Sequence, residues 1–289
     1  MAQDMFFDKN YSLNGRGDLI DLSTPRVMGI LNITPDSFYR GSRVSSKKGI
    51  LDTAKKMISE GADILDLGAY STRPGADDIS VEEEIDRLIP AVEAIRAEFP
   101  RSFLSADTFR SKVAKAAVEA GADMINDVSG GNLDPEMFQT VANLSVPYVL
   151  MHMRGTPQTM KSKNNYANLL QEVIFELAEK HKQLTRLGVK DIIVDPGFGF
   201  AKNIQQNFEL LNHLQHFHQL NAPLLIGISR KSMIYKTLET TPDEALYGTI
   251  TLNTLALQKG AHILRVHDVK PAADAIKMME QLNRYNGIV

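Results

Sequence analysis

The sequence contains no cysteine, which excludes disulfide bonds, cysteine zinc sites and thiol nucleophiles. It has no excess of positive charge either, since its formal net charge is -3, and this argues against a general nucleic-acid-binding protein. No apolar run approaches the roughly 20 residues that cross a bilayer. Residues 1–21 lack the charged start and apolar stretch of a signal peptide. We therefore expect a cytoplasmic protein with no membrane or nucleic-acid partner.

What the sequence does contain is a regular alternation of short apolar runs and helical segments. The runs are continuous, which is typical of parallel strands buried on both faces. They cover residues 27–31, 64–67, 103–105, 124–125, 148–151, 192–194, 224–228 and 263–266. Helical spacing of apolar residues covers 50–60, 81–99, 111–120, 136–143, 167–187, 206–219, 242–259 and 271–285.

This alternation predicts the fold class. Strand–helix repeats favour a parallel α/β sheet, and eight of them in 289 residues favour closure into a single (β/α)8 barrel. An open doubly wound sheet is the alternative. We expect residues 1–24 to form an N-terminal extension over the bottom of the barrel and residues 25–289 to form the barrel itself.

Polar residues follow nearly every predicted strand. In a (β/α)8 barrel the carboxyl ends of all strands open onto one face, where the active sites of this fold lie. Each residue also has a structural explanation by itself: Asp107 and Asp127 could cap helices, and Asp195-Pro196-Gly197 could form a turn. Their recurrence at one end of the strands, however, predicts a functional site in the barrel mouth.

Two other patterns are weaker. The segment Gly197-Phe198-Gly199-Phe200 lacks the third glycine of a dinucleotide-binding fingerprint. A metal site is one hypothesis for His213, His216 and His218, but the third histidine does not share the helix face of the other two. A solvent-exposed surface is the favoured interpretation of these histidines.

Eight segments after the predicted strands form a specific set when they are taken in order. They are GILNITPDSF (29–38), STRPG (71–75), SADT (105–108), INDV (125–128), MHMRGTP (151–157), DPGFGF (195–200), GISRKS (227–232) and RVH (265–267). Together they resemble the motifs of the dihydropteroate synthases. The resemblance implies an enzyme, a transferase of folate biosynthesis, that joins 6-hydroxymethyl-7,8-dihydropterin pyrophosphate to 4-aminobenzoate, giving 7,8-dihydropteroate and pyrophosphate.

The resemblance also implies a role for individual residues. Pterin binding is expected of Asp107, Asn126, Met151, Asp195, Gly227 and Lys231. Pyrophosphate binding is expected of Asn32, Arg73, Arg265 and His267, with Asn32 also holding Mg²⁺. The aminobenzoate pocket is expected to be lined by Phe38, Thr72, Pro74, Phe200 and Ser232. Catalytic roles are expected of Asp107, Lys231, Arg73 and Asp36.

The implied mechanism is loss of pyrophosphate before the amine attacks. Mg²⁺, Arg265 and His267 would neutralise the leaving group, and Asp107 would stabilise the pterin cation. Loops that carry Asp36 and Arg73 would close over the site and exclude water. The resemblance further implies a homodimer that packs through the later helices, and an aminobenzoate pocket for which sulfonamides compete.

Two departures from the family pattern leave alternatives open. Arg40 stands where members often have an aspartate, and Gly68-Ala69-Tyr70 replaces a more common Gly-Gly-Glu. The alternatives are a non-catalytic pterin-binding paralogue, a pterin-dependent methyltransferase domain and an aldolase-like phosphate-binding barrel. The last would need a Schiff-base lysine, for which Lys231 is the candidate.

Overall fold

The computed structural model describes residues 11–33, 47–71 and 78–285. The described strands are β1 Ser12–Gly15, β2 Asp18–Asp21, β3 Arg26–Asn32, β4 Ile64–Gly68, β5 Phe103–Asp107, β6 Met124–Asp127, β7 Tyr148–Met151, β8 Ile192–Asp195, β9 Leu225–Ile226 and β10 Ile263–Val266. The described helices are α1 Lys47–Glu60, α2 Val81–Glu98, α3 Ser111–Glu119, α4 Met137–Leu144, α5 Leu169–Arg186, α6 Ile204–Asn212, α7 Ser232–Tyr235, α8 Leu246–Gln258 and α9 Val269–Tyr285. None of the helices in these ranges is long and apolar enough to span a membrane.

Strands β3 to β10 form one parallel sheet in the order β8-β7-β6-β5-β4-β3-β10-β9. A parallel bridge between Val194 and Leu224 joins the two ends of this sheet, and the amide of Val194 donates to the carbonyl of Pro223 at 2.9 Å. The sheet therefore closes on itself. The predicted (β/α)8 barrel is confirmed, and the open doubly wound alternative is wrong.

The bottom of the barrel is filled by one apolar side chain from each of its eight strands. These are Met28, Ile64, Phe103, Met124, Val149, Ile193, Leu225 and Ile263. The β1–β2 hairpin adds Leu13 and Leu22 to the same cluster, and a Cβ atom at Gly15 would lie 2.5 Å from the Phe103 ring. The hairpin is thus packed tightly against the barrel, which confirms the expected cover; the domain boundary at residue 24 stays a prediction.

Two helical segments differ from the expected ranges. The segment predicted as one helix over 206–219 is divided into α6 and a 3-10 helix over Leu214–Leu220. A capping box between Asn203 and Gln206 fixes the start of α6. The segment predicted over 242–259 begins as a 3-10 turn at Pro242–Glu244 before α8 starts. Ser80 caps the start of α2, since its hydroxyl accepts from the amide of Glu83 at 3.0 Å.

A buried histidine at the barrel bottom predicts how stability depends on pH. Nδ1 of His262 accepts from the amide of Leu224 at 3.1 Å, and the ring is 3% exposed. Burial lowers the pKa of His262 to about 4, and His218 acts in the same direction. Because the unfolded chain has a histidine pKa of about 6.5, it takes up the proton first as the pH falls. The stability due to neutral His262 is therefore present above about pH 6.5 and lost towards pH 4.

We expect the free energy of unfolding to fall when the pH is lowered from about 7 to about 4. The fall should be on the order of 2 kcal/mol larger in wild type than in His262→Asn. The asparagine oxygen replaces Nδ1 as acceptor but does not take up a proton in this range. Denaturant unfolding at both pH values measures the difference. Equal losses in the two proteins would show that His262 does not carry the effect.

Candidate active site

An ion-pair network lies at the carboxyl ends of the strands, inside the barrel. The guanidinium of Arg265 is at its centre: Nε donates to Oδ2 of Asp66 at 2.6 Å and Nη2 donates to Oδ2 of Asp107 at 2.6 Å. Asn126 joins it, because its amide nitrogen donates to the same Asp66 oxygen at 3.0 Å. Parallel pairing places these residues side by side, with Asp107 next to Asn126 across β5 and β6.

This network is withdrawn from water. Asp66 is 0% exposed and Asn126 is 2% exposed, so each polar atom needs a partner within the fold. Among the described residues, Oδ1 of Asp66 and Oγ of Ser105 have none, and these two residues are paired across β4 and β5. Unsatisfied buried acceptors beside a charged pocket indicate a place where a polar ligand or ordered water binds.

The network changes the acidity of Asp107. Burial raises the pKa of this carboxyl to about 7; Arg265 opposes the shift and Asp66 adds to it. Burial lowers the pKa of Arg265, but the two carboxylates more than reverse this, so the guanidinium stays charged. The mouth of the barrel therefore contains a fixed cation beside a carboxyl group that titrates near neutrality, which is an arrangement typical of active sites.

A second charged pair lies across the mouth, where Asp195 ends β8 and Lys231 follows β9. Burial raises the pKa of Asp195, and Lys231 opposes this shift. Burial lowers the pKa of Lys231 to about 8, and the Asp195 carboxylate opposes this lowering. The ammonium of Lys231 donates to the carbonyl of Phe198 and lies 4.9 Å from the centre of the Phe200 ring. Asp195, Lys231 and Phe200 are thus brought together as predicted.

Space beside these pairs is left by a residue without a side chain. A Cβ atom at Gly227 would lie 3.9 Å from the Arg265 side chain and 4.0 Å from Oδ2 of Asp195. Met151 is buried with Val128 and Met153 in an apolar cluster, against which Phe200 packs. The charged groups and this apolar wall therefore lie at the same end of the barrel, and together they offer the kinds of contact that suit a flat polar ring.

The remaining predicted residues lie at the rim or outside the described part of the chain. Asn32 is the last residue of β3, and His267 follows β10, its neighbour in the sheet. Nδ1 of His267 lies 3.1 Å from the hydroxyl of Ser229, and Ser232 begins α7 directly after Lys231. Predictions for Asp36, Phe38, Arg40, Thr72, Arg73 and Pro74 fall outside the described residues.

Neither aspartate caps a helix, although one of them has a different structural role; the N-cap residue of α4 is Glu136, not Asp127. Asp127 is structural, since it accepts from the Tyr148 hydroxyl at 2.6 Å and from the amide of Ser129 at 2.7 Å. Asp107 does not cap α3, whose N-cap residue is Arg110.

The replacement at Tyr70 is accommodated, because its hydroxyl donates to Asp78 at 3.1 Å and its ring meets Phe109 edge to face.

Comparisons with known proteins agree with this site. The family model described as pterin binding enzyme matches residues 28–267. Dihydropteroate synthase of Escherichia coli K12 is 42% identical over 270 residues, which cover 93% of this chain and 95% of that protein. The Bacillus subtilis enzyme is 43% identical over 264 residues, covering 91% of this chain and 90% of its own length. The chain belongs to the dihydropteroate synthase family.

Solved structures of this family have the same fold. The Yersinia pestis dihydropteroate synthase in complex with a sulfonamide drug superposes with a TM-score of 0.91 at 38% identity, covering 95% of this chain and 100% of that one. The Xanthomonas albilineans enzyme with 4-aminobenzoic acid gives 0.87 at 39% identity, covering 95% and 99%. The alternatives of a methyltransferase domain or an aldolase-like barrel receive no support from these relatives.

Sequence reasoning missed one member of the dihydropteroate synthase pocket. Asp66 binds both Arg265 and Asn126, yet it lies within the apolar run 64–67 and was treated as part of that strand. A signal was present, since a carboxylate between buried leucines can be tolerated only when it is paired. His152 and Lys202 were also given no role; both are buried and hydrogen-bonded behind the loop that carries Phe200.

Proposed function

We propose that this chain is a dihydropteroate synthase, a transferase that condenses 6-hydroxymethyl-7,8-dihydropterin pyrophosphate with 4-aminobenzoate. The products are 7,8-dihydropteroate and pyrophosphate. The observation that carries the proposal is the pocket in which Asp107, Asn126, Asp195 and Lys231 face one another around Arg265. Relatives support the substrates, since one family structure contains 4-aminobenzoic acid and another contains pteroic acid.

The pocket has the polar groups that a pterin requires. One edge of the ring system offers an amino group and ring N–H donors, which suit the acceptors of Asp107, Asn126 and Asp195. The ring carbonyl suits the ammonium of Lys231. Met151 supplies an apolar wall, and Gly227 places no side chain beside these groups. A flat ring with donors on one edge and an acceptor on another therefore has a complete set of partners.

Catalysis is electrostatic. The bond between the pterinylmethyl carbon and the pyrophosphate oxygen breaks, and its electron pair leaves with pyrophosphate. The amine of 4-aminobenzoate then gives its lone pair to that carbon and loses a proton. Arg265 and His267 attract the departing negative charge, whereas Asp107 in its ionised form stabilises positive charge on the pterin. No side chain forms a bond to the substrate in this scheme.

Magnesium is the proposed cofactor. Mg²⁺ binds oxygen ligands, and it commonly takes only one or two from the protein and the rest from phosphate and water. Asn32 offers an amide oxygen at the end of β3, beside the strand that leads to His267. Within the described residues no group of three or more His, Asp or Glu could hold an ion, so the pyrophosphate would complete the site. Bound there, the ion would supply charge neutralisation to the leaving group.

The aminobenzoate pocket is proposed beside Lys231. Phe200 offers an aromatic face in contact with the Lys231 ammonium, and Ser232 offers a hydroxyl at the start of α7. Sulfonamides resemble the arylamine in shape, and a relative binds such a drug. We expect them to compete with 4-aminobenzoate here, which would raise its apparent KM without lowering the maximal rate.

Helices α8 and α9 form the proposed dimer surface. Tyr247 is 81% exposed on α8, and Met278 and Leu282 are 64% and 59% exposed on α9. These two helices pack against each other, and exposed apolar residues of this kind are typical of subunit contacts. Sedimentation would measure the association.

The cytoplasmic location remains a prediction from the sequence.

The decisive experiment is turnover of the two substrates with and without Mg²⁺. We expect formation of dihydropteroate that depends on the ion, because the pyrophosphate leaves with its negative charge. Removal of the metal with a chelator, followed by its return, controls for irreversible loss of activity. Pterin pyrophosphate binding without any turnover would instead favour a non-catalytic paralogue, with Arg40 as the first residue to restore to aspartate.

A further inference from the structure

The β8–α6 loop, which we define as residues 196–203, contains a buried lysine whose side chain binds the backbone of the same loop. Lys202 is 9% exposed. Its Nζ atom donates to the carbonyls of Gly197 and Phe200, both at 3.0 Å, and lies 2.9 Å from Nδ1 of His152. An ammonium group has three N–H donors and no acceptor. The three neighbours therefore match the three donors of Lys202, and two of them are backbone atoms of the loop.

The histidine that contacts Lys202 is itself held by a residue of α5. Nε2 of His152 lies 3.0 Å from Oε2 of Glu176 on α5. Burial lowers the pKa of His152 to about 4, and Lys202 acts in the same direction. A neutral imidazole that donates to Glu176 through Nε2 presents a lone pair at Nδ1, which is the atom facing Lys202. Arg154 holds Glu176 in place from the other side.

The β8–α6 loop needs such anchors because one of its non-glycine residues, Ala201, has a left-handed backbone conformation. Gly197, Gly199 and Ala201 have φ angles of 71, 81 and 51 degrees, in the region that side chains disfavour. A Cβ atom at Gly197 would lie 2.0 Å from the carbonyl oxygen of His152, so the loop lies directly against the end of β7. Conformations of this kind persist only where the surroundings impose them.

The anchored loop forms one side of the proposed aminobenzoate pocket. Phe200 places its ring 4.9 Å from the ammonium of Lys231, while its own carbonyl is held by Lys202 from behind. Phe198 contributes the carbonyl that accepts from Lys231. Two of the pterin-facing groups, Asp107 and Asn126, belong to β5 and β6 instead, whereas Lys231 contacts this loop through the Phe198 carbonyl and Asp195 accepts from the amide of Gly197.

We propose that Lys202, held by His152 and Glu176, is a positioning residue that places Phe200 and thereby sets the affinity for the arylamine substrate. Lys202 itself contacts no substrate in this arrangement. Its effect passes through the carbonyl of Phe200 and the ring on the same residue. The identity of the arylamine rests on the proposed function, but the geometry of the loop does not.

The test is Lys202→Met, which keeps an unbranched chain and removes the donors. Loss of three buried hydrogen bonds is expected to raise the KM for 4-aminobenzoate about tenfold, whereas the KM for the pterin pyrophosphate changes by less than about threefold. Lys180→Met is the matched control. Lys180 donates to the carbonyl of Gly130 at 2.8 Å and to Oδ1 of Asn132 at 2.7 Å, so it anchors the loop after β6 and makes no hydrogen bond to the β8–α6 loop. We expect neither KM to change in this control.

A milder variant decides the matter if Lys202→Met does not fold. The hydroxyl of Tyr166 donates to the carbonyl of Ala201 at 2.9 Å, and Tyr166→Phe removes only that bond. We expect a smaller rise, confined to the KM for 4-aminobenzoate. Equal changes in both KM values, or none in either folded variant, would overturn the positioning role. Absence of turnover in wild type would count against the proposed function. Turnover in wild type, with the same ratio of the two KM values in the variants as in wild type, would count against this inference alone.

Discussion

Replacing Lys231 with alanine is expected to lower kcat/KM for the condensation about 100-fold or more, because it removes a charged hydrogen bond and leaves the buried Asp195 without its cation. The ammonium of Lys231 faces the carbonyl of Phe198 and the ring of Phe200, so its loss affects the edges of both proposed subsites. Steady-state kinetics with each substrate varied in turn would measure the change. Lys236→Ala is the control, since Lys236 lies exposed just after the same short helix.

The pH profile gives Lys231→Ala a second readout. Burial lowers the pKa of Lys231 to about 8, with Asp195 opposing the shift. Because the protonated form donates to the pterin, kcat/KM of wild type should fall as the pH rises through about 8. The alanine variant has no such group and should lose that limb of the profile. A variant with full activity, or with the limb retained, would mean that Lys231 does not bind the pterin in its charged form.

The barrel and the location of its site could be predicted because they depend on local patterns. Short apolar runs identify strands, and the polar residues that follow them fall at one end by the geometry of the fold. Asn32, Asp107, Asn126, Asp195 and Lys231 lie at or after these strand ends, whereas their individual roles came from the resemblance and stay predictions. The break after Asn212 was not predictable, since the apolar spacing continues through Leu214 and Phe217 while the backbone changes to a 3-10 helix.

The partners of the site residues could not be predicted, because they are far apart in the chain. Arg265 was assigned to an anion site by the resemblance to the family, but it contacts Asp66 and Asp107, 199 and 158 residues away. Lys202 contacts His152, which is 50 residues away. Such pairs arise only once the barrel closes, so a single sequence identifies the groups at the mouth without showing which of them neutralise one another.

Asp66 provides the sharpest test of the network, because β4 offers a matched control at its other end. The Asp66→Asn variant keeps the size of the side chain but removes its negative charge. In wild type this carboxylate accepts from both Arg265 and Asn126. Breaking a buried pair in this way costs about 3–5 kcal/mol, and it frees Arg265 to turn towards Asp107 alone. We therefore expect kcat/KM to fall about 100-fold, with weaker pterin binding as the cause.

Asp63 is the control, since it precedes β4 at the bottom of the barrel. Its carboxylate accepts from Arg26 at 3.3 Å and from the amide of Val27 at 2.8 Å, so Asp63→Asn also weakens an arginine pair. That pair is partly exposed and far from the mouth, and its loss should cost about 1 kcal/mol of stability and leave kinetics unchanged. Kinetics and denaturant unfolding of both variants separate the two effects. Equal losses of activity in Asp66→Asn and Asp63→Asn would mean that the Asp66 effect comes from lower stability, because only Asp66 belongs to the network at the mouth.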